Sequence, residues 1–249
     1  MEAYQNLASV YDKFMEHAPY QKWVTFTEEI VDFYGVQGKR LLDLGCGTGE
    51  ITLQLSDSGF EVTGVDMSET MLAEASQKAI QQNKTISWIQ QDIRALQGFK
   101  DIDICVSYCD VLNYVTEKDD IETVCQNVFH SLKEKGLFIF DIHHLPYVTE
   151  HLADNQFSDV MDDLAYIWEC ESGETAGEMH HFITFFVRGE NGMFHRYDEY
   201  HHQQTYICDY YATALKKAGF TKIRFYADFC FEKQNIDKDN QRIFVLAEK

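Results

Sequence analysis

The chain has 249 residues, 45% of them hydrophobic, which is enough for one domain with an insertion or for two small domains. With 21 basic against 41 acidic residues the formal net charge is −20. That balance offers no basic footprint for phosphates and speaks against DNA or long RNA as substrate, while a small molecule, a cationic substrate or a partner with a basic surface is compatible with it.

No run approaches the roughly 18–20 apolar residues needed to span a bilayer. Met1 to Asp12 is polar and mixed, without a basic-then-apolar leader. The expectation is a cytoplasmic protein with no membrane segment. Cysteines stand at Cys46, Cys105, Cys109, Cys125, Cys170, Cys208 and Cys230. Their count is odd and no Cys-x-x-Cys pair occurs, so reduced, mostly buried thiols are expected rather than a disulfide frame or a zinc cluster.

Residues 1–35 read as helical, with Leu7, Val10, Tyr11 and Phe14 on one face, then Trp23, Phe26, Ile30 and Phe33. From Lys39 short apolar runs alternate with amphipathic stretches. Strands are predicted at Arg40–Leu44, Glu61–Val65, Ile86–Gln90, Ile102–Tyr108 and Leu137–Ile142. Helices are predicted over Gly49–Ser56, after Ser68 as N-cap, and after Thr116, which forms a capping-box pattern with Asp119. Residues 150–207 break this rhythm. Ala165–Glu171, Glu178–Arg188 and Met193–Tyr206 read as strands of an antiparallel meander, with a turn at Glu190-Asn191-Gly192. The α/β pattern then resumes with a helix over Cys208–Ala218 and strands at Ile223–Phe229 and Arg242–Ala247.

The expected fold class is α/β: a Rossmann-like, doubly wound, mostly parallel seven-stranded sheet with an inserted antiparallel β meander. The expected organisation is residues 1–149 for the N-terminal helices and cofactor-binding part, 150–207 for the insertion as a cap or dimer element, and 208–249 for completion of the sheet. A homodimer through the insertion is compatible with its many aromatics.

The most informative stretch is Leu41-Leu42-Asp43-Leu44-Gly45-Cys46-Gly47-Thr48-Gly49-Glu50. A buried strand enters a turn with glycine at every second position and leaves as a helix. Glycine permits positive φ and close approach of a ligand to the backbone. The spacing differs from the Gly-x-Gly-x-x-Gly of dinucleotide binders. A carboxylate at Asp43 disfavours a pyrophosphate and suits a ligand with an ammonium group.

This segment resembles motif I of the class I S-adenosylmethionine-dependent methyltransferases. The resemblance runs from about Arg40 to the C-terminus and implies S-adenosylmethionine as cofactor. It places Asp43, just upstream of the loop, and Gly45, Cys46, Gly47 and Gly49 among the cofactor-binding residues. It implies that Asp66, at the end of the second strand, holds the ribose hydroxyls and that Met67 packs on the adenine. Asp92 is assigned to the adenine amino group, and the Ile93 backbone to the ring. The loop Cys109-Asp110-Val111-Leu112-Asn113-Tyr114 borders the methionine end and the acceptor pocket, and Tyr11-Asp12 resembles an N-terminal lid.

Methyl transfer is an in-line displacement that needs the acceptor held about 3–3.5 Å from the methyl. A base is required only where the acceptor must lose a proton. No Asn/Asp-Pro-Pro-Tyr/Phe/Trp motif follows the fourth strand; similar enzymes that methylate planar amide or adenine nitrogens use that motif, so the resemblance implies that these are poorer acceptors. Asp110, Asn113, His144 and His201 are the candidate catalytic or acceptor-contacting residues. The pairs His143-His144, His180-His181 and His201-His202 place adjacent side chains on opposite strand faces. No metal is therefore assigned. The alternative is convergence of one member from each pair beside Glu199 or Asp198. The expected activity is methylation of a small molecule or a protein side chain, giving S-adenosylhomocysteine. The alternatives are a non-catalytic cofactor-binding regulator and a nicotinamide-dependent oxidoreductase.

Overall fold

A computed structural model describes residues 11–15, 18–189, 191–231 and 236–249. Leu7, Val10 and Glu190, invoked above, lie outside the described residues. The α/β part begins with helix α1 (Tyr20–Phe33). It continues through β1 (Arg40–Leu44), α2 (Glu50–Asp57), β2 (Glu61–Asp66), α3 (Glu69–Gln81), β3 (Ser87–Gln90), β4 (Ile102–Ser107), α4 (Lys118–Ser131) and β5 (Leu132–His143). Four strands then form a separate sheet: β6 (Gln156–Val160), β7 (Leu164–Ser172), β8 (Glu178–Arg188) and β9 (Phe194–Gln204). Helix α5 (Cys208–Ala218), β10 (Thr221–Ala227) and β11 (Arg242–Glu248) return to the first sheet.

The large sheet has the order β10-β11-β5-β4-β1-β2-β3. Strands β1 to β5 pair in parallel, and β11 runs antiparallel between β5 and β10. From β1 the chain winds outward to β2 and β3, then crosses back to β4 and β5. Such a reversal opens a crevice beyond the C-terminal ends of β1 and β4.

Strands with both faces covered need apolar residues at every position. Ile102–Ser107 is buried throughout. Alternate residues serve opposite cores. Leu41, Ile104, Leu137, Ile139 and Phe244 pack under α1 through Trp23, Phe26 and Ile30. Leu42, Cys105, Phe138, Phe140 and Val245 pack against Ile121, Val124 and Val128 of α4 and Tyr211 and Leu215 of α5.

Ser68 caps α3 as expected, its hydroxyl accepting from the Met71 N–H at 3.3 Å. The capping box at Thr116 does not form. Helix α4 starts one residue later, behind Glu117, with no side-chain cap. Asp119 and Asp120 instead lie in its first turn, where negative charge complements the helix N-terminus.

Strand β6 went unread in the sequence because Gln156–Val160 is polar and largely exposed. Its partner holds it in place, with the Phe157 ring 5.0 Å from that of Trp168 across the β6–β7 pair. Leu164, Ile183 and Phe185 form the inner face of the meander. Phe14 inserts there, its ring 4.8 Å from Tyr166 and 5.3 Å from Phe185.

Candidate active site

Beyond β1 the chain turns through Gly45 and Gly47 at φ +74° and +53°. A Cβ on Gly45 would lie 2.5 Å from Cγ1 of Val111, so that position is closed by packing. A Cβ on Gly47 would meet nothing within 4 Å, so the loop is open on that side. The Gly45 and Cys46 N–H groups donate to the Val65 carbonyl at 2.7 and 3.1 Å. The Gly47 N–H donates to Asp66 Oδ2, and the Ser68 N–H to Oδ1, each at 2.8 Å. Each Asp66 oxygen keeps a lone pair for a further donor. Met67, beside it, is 66% exposed.

Asp43 is buried behind the loop and accepts from Thr52 Oγ1 at 2.6 Å. Burial pushes its carboxyl up to about 6 and the charge of Asp66 adds to the rise, against the Thr52 hydrogen bond. A cation arriving here would restore the ionised form. Burial likewise drives the Cys46 thiol up, with Asp43 and Asp66 reinforcing it, so this sulfur is neutral.

The segment holding Tyr11 and Asp12 straps over the loop. Thr48 Oγ1 donates to Asp12 Oδ1 at 2.5 Å, and Lys78 pairs with Asp12 at 2.6 Å. Burial raises the Tyr11 phenol, and neighbouring Cys109, Tyr20, Tyr114 and Asp110 add to the rise. At the far edge, Asp92 caps the turn Ile93–Ala95 and holds the Arg94 guanidinium through both oxygens, at 2.6–3.0 Å. Those hydrogen bonds keep its carboxyl below the ordinary range. Ile93 is buried in the core below.

The loop after β4 is strained: Cys109 and Asp110 both have left-handed backbone, at φ 57° and 53°. For non-glycine residues this costs on the order of 1–2 kcal/mol each. Asp141, fully buried at the end of β5, offsets the cost by accepting their N–H groups at 2.9 and 3.0 Å. It also accepts the Trp23 indole N–H at 3.0 Å and the Arg242 guanidinium. Arg242 stacks 5.2 Å from the Trp23 ring and donates to Asp110 Oδ1 at 3.0 Å. Asp110 Oδ2 takes Gln203 Nε2 at 2.8 Å and faces His143 Nε2 at 3.4 Å.

Burial opposes ionisation of Asp110. His143, Arg242 and Gln203 together outweigh it and hold the carboxyl well below its ordinary range. His143 shows the converse: burial disfavours its charge, but Asp110 wins and raises it. The seam extends into the meander. Trp168 Nε1 donates to His181 Nδ1 at 3.0 Å, which leaves His181 Nε2–H to donate to Gln203 Oε1 at 3.2 Å. Burial lowers His181 to about 4, so it is neutral.

The four candidate catalytic residues separate. Asp110 is the centre of the seam. Asn113 is spent on backbone, its Nδ2 donating to Gln204 O at 3.1 Å and its Oδ1 accepting the His143 N–H at 2.9 Å. His144 turns away, its Nδ1 3.1 Å from Asn240 O. His201 lies on the inner face of β9, with Nε2 2.7 Å from Glu199 Oε2 and Nδ1 3.2 Å from the Tyr114 hydroxyl. Sequence reasoning missed Arg242 and Gln203, which have no local signature, and the part played by Asp141. The one available hint was a carboxylate inside the apolar run Leu137–Ile142.

A family model described as “Methyltransferase domain” matches residues 41–136. A methyltransferase-family protein of Geobacillus sp. (strain WCH70) is 41% identical over 248 residues, covering 99% of both chains. The chain belongs to the S-adenosylmethionine-dependent methyltransferases. The crystal structure of such a methyltransferase from Clostridium acetobutylicum ATCC 824 superposes with a TM-score of 0.88 at 30% identity, covering 98% of each chain. The sugar N-methyltransferase KedS8 from Streptoalloteichus sp. ATCC 53650 shares the fold, with a TM-score of 0.79 at 16% identity over 96% of this chain and 92% of its own.

This methyltransferase uses S-adenosylmethionine, and the donor set fits that cofactor. The open side of Gly47 and the spare lone pairs of Asp66 suit an adenosyl group without phosphates. Membership sets aside the oxidoreductase and the non-catalytic regulator. Among the described residues, no helix is long and apolar enough to cross a membrane.

Proposed function

We propose that this methyltransferase methylates the amine of a small molecule. The acceptor would be held between the Cys109–Tyr114 loop and the inner face of the meander, with residues 150–207 acting as its cap. The observation that carries this reading is the hydrogen-bond chain Glu199–His201–Tyr114. Glu199 fixes the proton on His201 Nε2, so Nδ1 accepts the Tyr114 hydroxyl and the three groups form a relay. An amine reaches the pocket as an ammonium ion, which has no lone pair until it loses a proton. The Tyr114 hydroxyl takes that proton as it passes its own to His201 Nδ1, and Glu199 stabilises the imidazolium that results. The Tyr114 ring is half-exposed, yet desolvation at its hydroxyl end and then Asp110 raise the phenol, so Tyr114 holds a proton to relay.

Asp43, the Gly45–Gly49 loop, Asp66 and Met67 are the groups assigned to the cofactor, with Asp43 offered to its ammonium end. When bound, S-adenosylmethionine supplies a methyl group on a positively charged sulfur. Tyr11 and Phe14 close the space from the N-terminal side and exclude water. The sugar N-methyltransferase KedS8 and the amino pentose methyltransferase CalS10 share this fold, which agrees with an amine acceptor.

The test is transfer of labelled methyl to a panel of small amines, with matched carboxylic acids and phenols, followed by product S-adenosylhomocysteine. Amines should be methylated, and His201→Asn should lower kcat by roughly 10²-fold or more with cofactor affinity unchanged. Methylation confined to acids or phenols, or an unchanged kcat in His201→Asn, overturns the reading.

A further inference from the structure

Antiparallel pairing of β8 with β9 sets His180 directly opposite His202. Residues two apart on a strand share a face, so Glu178 joins them, whereas His181, His201 and Gln203 point to the opposite, inner face. The two imidazoles stack at 4.7 Å with 12° between their planes. His202 Nε2 is 2.9 Å from Glu178 Oε1, and His180 Nε2 is 4.0 Å from the same oxygen. The possible ligand atoms of the three residues all lie within 4.8 Å of one another.

The surroundings orient these groups. The Thr175 N–H and hydroxyl donate to Glu178 Oε2 at 3.1 and 3.3 Å, which leaves Oε1 for the histidines. The Tyr200 hydroxyl lies 2.8 Å from His180 Nδ1. With the proton on Nδ1 donated to that oxygen, Nε2 presents its lone pair to the cluster, as outer partners do for metal-bound histidines.

We propose that Glu178, His180 and His202 bind a divalent transition-metal ion of the zinc class. Two imidazole nitrogens and one carboxylate oxygen are a borderline-soft set that zinc accepts in tetrahedral geometry, leaving one position for water or an outside ligand. Tetrahedral ligands at about 2.0–2.2 Å are brought together here by small rotations of partly exposed side chains, the metal taking the place of the proton that now bridges His202 and Glu178. A protein of net charge −20 also concentrates cations at its surface.

The site staples the end of the meander to the core. Gln204, opposite Glu178, accepts the Asn113 side-chain amide at its carbonyl, and Thr205 donates its hydroxyl to His143 O at 2.6 Å. Metal bound here stiffens the β8–β9 ends against the loop after β4 without touching the acceptor face.

The experiment uses the full chain, stripped with EDTA and dialysed, then titrated calorimetrically with Zn²⁺ alone. Wild type should bind one tight equivalent. Glu178→Gln, His180→Asn and His202→Asn should each weaken it by at least about tenfold, while His195→Asn, at the opposite end of β9, leaves it unchanged. Co²⁺ in place of Zn²⁺ should give the visible absorption of a four-coordinate ion in wild type and not in His180→Asn. Glu178→Gln keeps a hydrogen-bond acceptor for His202, and circular dichroism checks that each variant is folded. Absence of the equivalent in wild type, or its retention in the folded variants, overturns the proposal.

Discussion

Every residue of β4 is buried and five of the seven in β11 are, whereas β9 is exposed or half-exposed until it reaches Gln203 and Gln204. The seven-stranded sheet is held by continuous apolar burial on two faces. The meander has two small apolar clusters, around Leu164, Ile183 and Phe185 and around Met179 with Val148 and Leu152, and polar contacts tie it to the sheet: Gln203 to Asp110, Asn113 to Gln204, Thr205 to His143. Apolar burial is non-directional and tolerates change, while a buried polar seam demands that every partner be present. On the proposed function, cofactor binding falls on the robust part and acceptor recognition on the conditional part.

Three measurements probe this contrast, from the largest expected effect to the smallest. Gly47→Val should eliminate cofactor binding by calorimetry while the fold survives, because the new side chain projects into the open space and meets no protein atom at Cβ. Both substitutions carry the cost of a β-branched residue at positive φ, about 1–2 kcal/mol, but Gly45→Val should lower stability further, since its Cβ also collides with Val111. A Gly47→Val protein with intact affinity would remove the loop from the cofactor site.

Asp141→Ala strikes the seam. It leaves the Arg242 guanidinium short of a carboxylate and frees the Trp23, Cys109 and Asp110 donors. Breaking a buried pair in this way costs about 3–5 kcal/mol, measurable by urea unfolding. Hydrogen exchange should rise first in the Cys109–Tyr114 loop and in β9. A loss below about 1 kcal/mol would mean that the seam contributes no more than a surface ion pair.

The pH dependence is the mildest probe. His143 is raised above 6.5 by Asp110, so its contribution is complete below that ordinary value and fades as pH rises through the folded value. Asp110 is lowered, so its contribution is complete above 3.8 and lost only in stronger acid. The pair should therefore stabilise most between about pH 4 and 6.5. Thermal midpoints of wild type should decline on the alkaline side of that window, and His143→Gln should lack this decline. Parallel profiles for the two proteins would dissolve the linkage.

The strand–glycine loop–helix at Leu41–Glu50 and the acidic end of β2 were legible because they depend on neighbours in sequence: an apolar run, then residues free to take positive φ, then helical spacing. The limits of β8 and α5 were read without error for the same reason. Strand β6 was not, since its polar residues are strands only by virtue of β7. Adjacent histidines on a strand face opposite ways, whereas His180 and His202 meet across strands, a register no local pattern reveals. The sequence places Glu199 near the histidine pairs but does not join Tyr114 to His201, and it does not show the two backbone groups that Asn113 binds.

The sequence by itself determined the α/β class, the place of the insertion and the strand–glycine loop–helix, because those follow from periodicity and from backbone freedom at single residues, while the resemblance of that loop to motif I implied the methyltransferase. Only the tertiary structure decided that Asp141, Arg242, Asp110, His143 and Gln203 form one seam. Its members lie up to 132 residues apart and are brought together by burial. A charge in a chain reads as solvated until folding removes the water around it and leaves opposite charge as its only compensation.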